Sequence, residues 1–451
     1  MNKSDKKTIF FVIATVARVN FILRTDIFRI LRGSGSEIVI ISPFAGDDDF
    51  KKEFAADNVR FEPLPAPGRF IEILNRFRDN LLSINHPVLA NAKSIHDIVT
   101  FGYRPPETKT RRFKAAILRA ITSALGLLGF GGAKAWDFVE KTIYYHAACR
   151  RLFKKYAPAV VVLASGGAEG NDAPFMLYAL KFGVAAVATD SNIDVFEFRY
   201  FTKPRPLAKW MLFSETQKRN ATAIQGIKEE NIAVTGAARY DYYFRYFKPA
   251  PRAEFLKSLG VDPEKKLITF GAKIPKLYPY NQEIFEALLK TTRERLRGTA
   301  ELFVRFDPGH DQNIYGLLLG EFKWEKAEQA AHREHVANLL YHSDAVISVN
   351  STLCIESCLI DVPSVWVGFG GGQIGGGYQT TYRLEMFKRM AKTGGIPVAH
   401  SEKELSDLVV KYVGDRSVDR EKRRALVEQE YFKSDGRSGE RVVAEILNLI
   451  K

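Results

Sequence analysis

The stretch SDAVISVNSTLCIESCLIDVPSVWVGF, residues 343–369, decides the fold. Its apolar, β-rich run from Ala345 to Val349 stops at Asn350-Ser351-Thr352, and a helix-compatible run follows from Leu353 to Ile360. Pro363 then opens a second apolar run, which ends at Val367. The order of these runs predicts a strand, a turn, a helix and a second strand.

Short buried strands that alternate with helices indicate an α/β fold with a parallel sheet covered on both faces. Sheets of this kind bind their ligands beyond the carboxyl ends of the strands. Because the turn at 350–352 follows directly after a predicted strand, it lies at such an end. We therefore expect this turn to belong to a binding site.

The turn combines the amide of Asn350 and the hydroxyls of Ser351 and Thr352 with the start of a helix. Free N–H groups and the helix dipole favour an anion there, phosphate above all. With Thr352 as N-cap, a capping-box acid would stand at position 355, so Glu356 is one place too far. A carboxylate at 356 could instead accept hydrogen bonds from two ribose hydroxyls. The alternative is an ordinary Ser/Thr cap with a solvated glutamate.

The pattern D-x-x-I-S-x-x-S-T, which begins at Asp344 and is followed by Glu356 and Pro363, resembles a known motif. It is similar to the donor-nucleotide motif of GT-B glycosyltransferases and their relatives, the CDP-glycerol glycerophosphotransferases and UDP-N-acetylglucosamine 2-epimerases. In those families the hydroxyl pair holds the diphosphate and the acid holds the ribose. The resemblance implies these roles for Ser351, Thr352 and Glu356.

Two further segments resemble the same superfamily. Residues 190–241 are similar to a segment of bacterial surface-polysaccharide glycosyltransferase-like proteins, and the final D-G-x-x-x-x-R, Asp435 to Arg441, resembles the superfamily's C-terminal motif. The matching positions in the first segment are Asn192, Lys203, Phe213-Ser214-Glu215, Val234-Thr235-Gly236 and Arg239-Tyr240-Asp241. The family's Trp-Asp pair before the Asn is missing, so its role does not transfer.

This resemblance implies two doubly wound, Rossmann-like domains that face each other across a cleft. We expect an N-terminal acceptor domain over 1–247 with a helical insertion at about 64–156, and a Pro- and Lys-rich linker over 248–266. A nucleotide-donor domain follows over 267–433, and a C-terminal helix over 434–451 is expected to return to the first domain. A chain of 451 residues is long enough for two or three domains.

Other site candidates follow predicted strands. In the second domain these are Gly271 and Lys273, with Arg305 and His310 after them, and each could approach or neutralise a phosphate. A solvated lysine and a turn-capping histidine are the alternatives. In the first domain, Asp172, Glu169 and Asp190 lie at one predicted sheet edge and are candidates, in that order, for the base that takes the acceptor proton.

The net charge of +14 fits an anionic partner. No helix-turn-helix, zinc-finger, RRM or KH signature is present in the sequence, so we expect no nucleic acid partner. Residues 109–132, KTRRFKAAILRAITSALGLLGFGG, lead from basic residues into an apolar helical run. This stretch could contact an anionic membrane surface. The alternative is a helix buried against the first sheet.

Three cysteines, Cys149, Cys354 and Cys358, fit a reducing compartment. No apolar run of about 18 residues predicts a membrane span, and the N-terminal apolar run is interpreted as a buried strand, not a signal peptide. We therefore expect a cytoplasmic protein, with peripheral membrane contact as an option. Asp47-Asp48-Asp49 is interpreted as a helix start, not a metal motif, and we expect neither a metal nor a cofactor.

These features predict a metal-independent glycosyltransferase that moves a sugar from a nucleotide-sugar donor to a surface polysaccharide or lipid-linked acceptor. Fixed cations and dipoles would stabilise the leaving diphosphate. The glycine-rich loop Gly370 to Gly377 is interpreted as a hinge or lid over the donor. The alternatives are a CDP-glycerol-type phosphotransferase, a 2-epimerase, or a non-catalytic nucleotide-sugar binder.

Overall fold

The computed structural model describes residues 6–65, 147–166, 172–189, 207–275, 278–306, 310–325, 333–370 and 384–450. It also describes 192–193, 195–198 and the single residues 113, 116, 117, 120, 121, 124 and 382. The chain forms two compact units. The first contains the chain up to Arg245 and the segment from Gln429 onward, and the second contains Tyr246–Glu428.

The first unit is built on seven parallel strands in the order β3-β2-β1-β4-β5-β6-β7. The strands are β1 Thr8–Val12, β2 Glu37–Ser42, β3 Val59–Pro63, β4 Val160–Leu163, β5 Ala185–Thr189, β6 Lys209–Leu212 and β7 Ile232–Val234. Alternate residues of β1 pack into cores on opposite faces of the sheet, Phe10 and Val12 on one side and Ile9 and Phe11 on the other. Burial on both faces explains why this strand is a continuous apolar run.

The helices of the first unit are short and cover both faces of its sheet. In the described part of the chain up to Arg245, the helices with complete bounds are α1 Val16–Arg18, α2 Asp26–Arg32, α3 Asp48–Phe54, α4 Ala147–Tyr156, α5 Asp172–Phe182, α6 Val195–Phe198, α7 Glu215–Gln225 and α8 Asp241–Arg245. A π-helix, Val19–Leu23, follows α1, and 3-10 turns lie at Glu229–Asn231 and Ala238–Tyr240. Most of the insertion predicted over 64–156 lies outside the described residues, and α4 is its final part.

The second unit is built on six parallel strands in the order β10-β9-β8-β11-β12-β13. They are β8 Lys266–Ala272, β9 Ala300–Phe306, β10 Lys323–Trp324, β11 Ala345–Ser348, β12 Ser364–Val367 and β13 Val398–Ala399. Its helices are α9 Arg252–Ser258, α10 Asn281–Lys290, α11 Arg333–His342, α12 Thr352–Leu359, α13 Glu385–Lys392 and α14 Glu402–Gly414, with a π-helix at Thr291–Arg295 and a 3-10 segment at Gln312–Glu321. The strand, turn, helix and strand predicted for 343–369 are confirmed as β11, α12 and β12.

The two sheets share one winding pattern, since in each the first strand lies inside the sheet and the strand order reverses beside it. The predicted α/β class with two Rossmann-like domains is confirmed. The segment expected to be a linker, 248–266, differs from the prediction because it lies in the second unit and contains α9, whose Phe255 and Leu256 are buried. The Pro and Lys residues near the two ends of this segment had concealed a helix with a buried face.

The chain ends with α15 Arg420–Glu430 and α16 Ser438–Leu449. Helix α16 belongs to the first unit, where Val442 and Val443 pack into the core that contains Ile9. Its first N–H groups are capped by a distant carboxylate, because Asp241 accepts from Ser438 N at 3.0 Å and from Gly439 N at 2.7 Å. This cap satisfies N–H groups that a helix start leaves without an intrahelical partner.

Arg441 completes the attachment of α16. Its Nε donates to the carbonyl of Thr235 at 2.7 Å, and its Nη1 lies 2.9 Å from Asp435. A Cβ on Gly236 would lie 2.5 Å from Ser438 Oγ, so only glycine fits there. The V-T-G-x-x-R-Y-D motif and the C-terminal D-G-x-x-x-x-R motif therefore form one interlocked structure.

Among the described residues, no helix is both long enough and apolar enough to span a membrane.

Candidate functional site

The strand order of the second sheet reverses between β8 and β11, with β9 and β10 on one side and β12 and β13 on the other. At the carboxyl ends of these two strands Ser348 pairs with Gly271, and Ser348 Oγ donates to the Gly271 carbonyl at 2.7 Å. The crevice beyond such a reversal is where open α/β sheets bind ligands. The turn at 350–352 lies next in the chain after this point.

Helix α12 starts at the reversal. Ser351 is its N-cap, and Ser351 Oγ accepts from Leu353 N at 3.2 Å. The first helical residue, Thr352, is exposed, and the first turn contains no acid. Glu356 lies four residues after Thr352, on the same face of the helix, and is half-buried. An N-terminus with its positive dipole end and no acid of its own can accept an anion.

The capping residue is thus Ser351 and not Thr352. The capping-box position falls at Cys354, so Glu356 remains outside any capping box. Its predicted role toward a ribose stays a prediction.

Two aromatic side chains hold the turn in place. Asn350 adopts φ of +40°, and its N–H donates to Tyr382 Oη at 3.0 Å. The Tyr382 hydroxyl in turn donates to the Val367 carbonyl at 3.0 Å, and Trp366 Nε1 donates to the Ser351 carbonyl at 3.3 Å. The turn after β11 is therefore fixed to the end of β12. Neither aromatic residue was predicted, because no local pattern links positions 366 and 382 to the turn.

Gly271 allows α12 to approach β8 closely. A Cβ at this position would lie 2.9 Å from Leu353 Cδ2 and 3.2 Å from Ser348 Oγ. The predicted role of Gly271 in direct phosphate contact stays a prediction, but its small size already serves the packing of the helix start.

Lys273 follows β8 and has its backbone fixed by a buried amide. Asn281 Nδ2 donates to the Lys273 carbonyl at 2.7 Å, while Lys273 N donates to Asn281 Oδ1 at 3.2 Å. Burial raises the pKa of the Cys354 thiol well above its usual value, and the Lys273 ammonium acts in the opposite direction. Lys273 follows β8 directly, and β8 pairs with β11, the strand that precedes the turn at 350–352.

Arg305 has a different orientation from the one predicted. Its strand neighbours Val304 and Phe306 point into one core, so Arg305 points to the opposite face, where its guanidinium binds the buried carboxylate of Glu325 at 2.6 Å. The same carboxylate lies 3.1 Å from His335 Nε2. The guanidinium is engaged in this buried cluster, which does not support the predicted role in binding the donor phosphate.

His310 is also engaged in packing. Its Nε2 lies 2.9 Å from the Tyr315 hydroxyl, and its ring centroid lies 4.7 Å from that of Phe306. With 5% of its surface exposed, the imidazole is not presented to a ligand. This packing does not support the role in donor binding predicted for His310, which stays a prediction.

In the first unit, Asp172 is the first residue of α5 and is 0% exposed. Its carboxylate accepts from Ser165 N at 3.1 Å and from Ser165 Oγ. A base must touch the acceptor hydroxyl, and a fully buried carboxylate cannot. This burial does not support Asp172 as the base, a role that stays a prediction, and the other two candidates, Glu169 and Asp190, lie outside the described residues.

The remaining predictions concern a helix start, the three cysteines, a metal ion and the glycine-rich loop. Asp47 caps α3, with its Oδ1 accepting from Phe50 N at 2.8 Å, as expected for a helix start. Cys149, Cys354 and Cys358 are free and buried. The part of the chain that the structure describes contains no group of His, Cys, Asp or Glu suited to a metal ion. The glycine-rich loop lies outside the described residues beyond Gly370.

Solved structures with the same fold cover nearly the whole chain. UDP-GlcNAc 2-epimerase from Methanocaldococcus jannaschii matches with a TM-score of 0.56 at 12% identity, over 98% of this chain and 99% of that one. The epimerase from Neisseria meningitidis bound to UDP-GlcNAc gives 0.54 at 10%, over 98% and 100%. The calicheamicin glycosyltransferase CalG4 gives 0.51 at 12%, over 99% and 98%. The chain therefore has the fold of GT-B glycosyltransferases and epimerases.

A match to a family model shows which family of GT-B-fold proteins the chain belongs to. The family model "CDP-Glycerol:Poly(glycerophosphate) glycerophosphotransferase" matches residues 210–448, which is more than half of the chain. The chain belongs to this family of nucleotide-linked transferases. No curated protein sequence matches the chain significantly.

Proposed function

We propose that this protein transfers glycerophosphate, or a closely related polyol phosphate, from a CDP-linked donor to a hydroxyl of a phosphate-bearing polymer. The observation that carries the proposal is the family match, which includes the turn at 350–352 and α12. This acid-free helix start, with Lys273 at the end of the neighbouring strand β8, suits the diphosphate of such a donor. The similarity to epimerase and glycosyltransferase structures supports only the fold.

The proposed reaction is a displacement at phosphorus. An acceptor oxygen attacks the phosphorus that carries the polyol, the bond to the cytidine-side phosphate oxygen breaks, and CMP leaves. Negative charge then develops on the leaving phosphate. The positive end of the α12 dipole, the Thr352 hydroxyl and the Lys273 ammonium are the groups proposed to stabilise it.

These fixed dipoles and this cation are the reason to retain the proposal that no divalent metal is required. In this scheme Glu356 binds the ribose hydroxyls of the donor. Glu169 and Asp190 remain the candidates for the base that takes the proton of the acceptor hydroxyl. The scheme has no role for Arg305, His310 or Asp172, because each is engaged elsewhere.

A second candidate is the transfer of a sugar from a nucleotide-sugar donor to a surface polysaccharide or lipid-linked acceptor. The donor-motif resemblance at 344–363 is shared by both activities. They differ in the bond that breaks, because sugar transfer breaks the bond between sugar carbon and oxygen and releases a nucleoside diphosphate. The leaving nucleotide therefore separates the two hypotheses.

The test is an incubation of the full chain with CDP-glycerol or UDP-GlcNAc and a glycerophosphate oligomer, followed by anion-exchange chromatography of the released nucleotide. We expect CMP from CDP-glycerol. Release of UDP from UDP-GlcNAc, with CDP-glycerol inert, would favour sugar transfer if UDP release depends on the acceptor. Acceptor-independent UDP release would indicate the epimerase alternative, and binding of a donor without turnover would indicate a non-catalytic binder.

A matched pair of capping variants tests the site itself. Ser351→Ala removes the cap of α12, and Ser401→Ala removes the equivalent cap of α14, where Ser401 Oγ accepts from Glu404 N at 3.2 Å. Each variant is expected to lose about 1 kcal/mol in the free energy of unfolding, because a helix start loses its cap. Only Ser351→Ala, combined with Glu356→Ala, is expected to abolish CMP release. Turnover that survives in the double variant would remove this site from the proposal.

A further inference from the structure

Two apolar side chains of the second unit project into solvent. Leu317 is 97% exposed and Ile314 is 54% exposed, and both lie in the 3-10 segment at Gln312–Glu321. Between them Gly316 adopts φ of +53° and ψ of −127°, a combination that only glycine adopts readily. The backbone kink at Gly316 thus precedes a leucine that points outward, whereas the next residue, Leu318, packs against the core of the unit.

A groove lies beside this projection. Its volume is about 480 Å³, and its walls are the carboxyl-terminal half of α10 with the following π-helix on one side and the 3-10 segment on the other. Leu289, Leu317 and Leu318 form its apolar lining, and Arg293 forms an ion pair with Glu321 that joins the two walls. The projection and the groove together are called here the leucine patch.

The charged residues around the groove have both signs. Three acids and two bases line it, so their charges sum to −1 in a chain whose net charge is +14. They are Glu286, Lys290, Arg293, Glu294 and Glu321. An anionic lipid or a nucleic acid would be matched by bases alone. A rim with both signs matches a protein surface, and its near balance lets two copies of a basic chain approach each other at this place.

From these features we propose that two copies of the chain associate through the leucine patch about a two-fold axis. A two-fold contact uses the same patch on both copies, so the patch must be complementary to itself. The leucine patch meets this condition because it combines an apolar projection, an apolar hollow and charges of both signs. Leu317 of each copy enters the groove of the other copy, and Lys290 of each copy faces the glutamates of the other rim.

This contact lies away from the start of α12. Helix α10 connects the carboxyl end of β8 to the amino end of the parallel strand β9. Its second half therefore lies toward the sheet edge opposite to the one at which the turn at 350–352 follows β11. Association through the leucine patch is thus independent of the proposed transferase site.

Sedimentation velocity of the purified full chain across a concentration series tests this proposal. We expect a reversible equilibrium between monomer and dimer for the unchanged chain. Leu317→Asp places a carboxylate in the apolar contact and should weaken the dimer by at least about 100-fold. The matched control is Leu180→Asp, because Leu180 is 57% exposed in the first unit, and it should leave the equilibrium unchanged. Circular dichroism and thermal melting check that both variants are folded.

Two further measurements examine the geometry and the charges. With the photoreactive residue benzoylphenylalanine in place of Leu317, irradiation should produce a covalent dimer whose cross-link maps by mass spectrometry to residues 286–294 of the second copy. Lys290→Glu should weaken the dimer by about tenfold, because like charges then face each other across the contact.

Three results would overturn the proposal. In the first, the unchanged chain stays monomeric at every concentration, which would leave a different protein as the occupant of the leucine patch. In the second, Leu317→Asp dimerises as well as the unchanged chain. In the third, the cross-link maps outside the leucine patch of the second copy.

Discussion

The sheets of the two units have the same strand order around their first strand. The helices that start where this order reverses begin with different residues. In the first unit the helix after β4 begins with Asp172, whose carboxylate is fully buried and receives two hydrogen bonds from Ser165. In the second unit the helix after β11 begins with Thr352, which is exposed, and its first turn has no acid. The first helix start supplies its own anion, whereas the second has no acid in its first turn.

The connections show the same difference. Eight residues, 164–171, separate β4 from α5, whereas only 349–351 separate β11 from α12. The short turn brings the helix start directly beside the sheet, where Gly271 lets Leu353 approach. We infer that the identity of the first helical residue decides which unit can bind an external phosphate, and four predictions test this comparison.

The largest expected effect is on the first unit. Asp172→Ala removes the acceptor of two buried donors at Ser165, and the free energy of unfolding should fall by about 3 kcal/mol. Urea unfolding followed by circular dichroism measures this change. Asp172→Asn, which keeps one acceptor oxygen, should lose about half as much. A variant that loses turnover but keeps its stability would instead restore Asp172 as the base.

The second prediction introduces at the start of α12 the kind of acid that begins α5 in the first unit. Thr352→Asp places a carboxylate at the first position of α12, and its repulsion should weaken CDP-glycerol binding by about 100-fold. The same change should leave stability unaltered or raise it by about 0.5 kcal/mol, because an acid suits a helix start. Isothermal titration calorimetry measures the affinity. Thr352→Asn is the neutral control, and equal losses in both variants would argue against an anion site.

The third prediction concerns the support of the turn. Tyr382→Phe removes the hydroxyl between Asn350 N and the Val367 carbonyl but keeps the ring beside Trp366. We expect the affinity for CDP-glycerol to fall by about tenfold, since the turn loses its fixed position. Tyr341→Phe removes the hydroxyl of an exposed tyrosine in the same unit and should leave affinity unchanged. If both variants bind the donor equally, Tyr382 does not position the turn.

The smallest expected effect concerns how the free energy of unfolding depends on pH, which should differ between carboxylates of the two units. Burial alone would raise the pKa of Asp419, but hydrogen bonds from Lys411, Lys422 and Tyr412 lower it to about 2. The resulting stabilisation is present above the unfolded value near 3.8 and is lost as pH falls toward 2. Asp419→Asn should therefore be less stable by about 1 kcal/mol at pH 5.5, because the exposed lysines weaken the effect, and by only about a third of that near pH 2.5. Urea unfolding at both pH values measures this.

Asp241 of the first unit provides the contrast of opposite sign. Burial raises its pKa, with hydrogen bonds from Gly439 and Ser438 opposing the increase. Its contribution to stability is fully present below its unfolded pKa and decreases as pH rises through the folded value. If Asp419→Asn were equally destabilising at both pH values, the ion pairs at Asp419 would not be the cause.

Local pattern was sufficient for the helix start and its neighbouring strands. Residues 343–369 alternate between buried strand and helix within a short stretch, so neighbouring residues alone specify the arrangement. Arg305 shows where this reasoning fails. Its place near the end of β9 was predicted, but the face to which it points depends on strand alternation, in which one position reverses the direction. The glutamate that binds it lies twenty residues later.

Contacts between distant positions could not be predicted from one sequence. Asn281, Trp366 and Tyr382 support the site through hydrogen bonds that exist only once the sheet has formed. Asp172 illustrates a different difficulty, because an acid after a strand has the same sequence context whether it is buried or exposed. Burial is a property of the folded chain. It decides whether a carboxylate is held in a structural hydrogen bond or is accessible as a base to a substrate.

The closure of the first unit by α16 has a consequence for synthesis on the ribosome. Residues 246–428 are continuous in the chain, so the second unit can fold as soon as they have left the exit tunnel. The first unit must wait for Gln429 and the residues after it, including Ser438, Gly439 and Arg441. The first unit, although translated first, is therefore completed last. A chain truncated before α16 is expected to contain a complete second unit and a first unit that lacks its last helix.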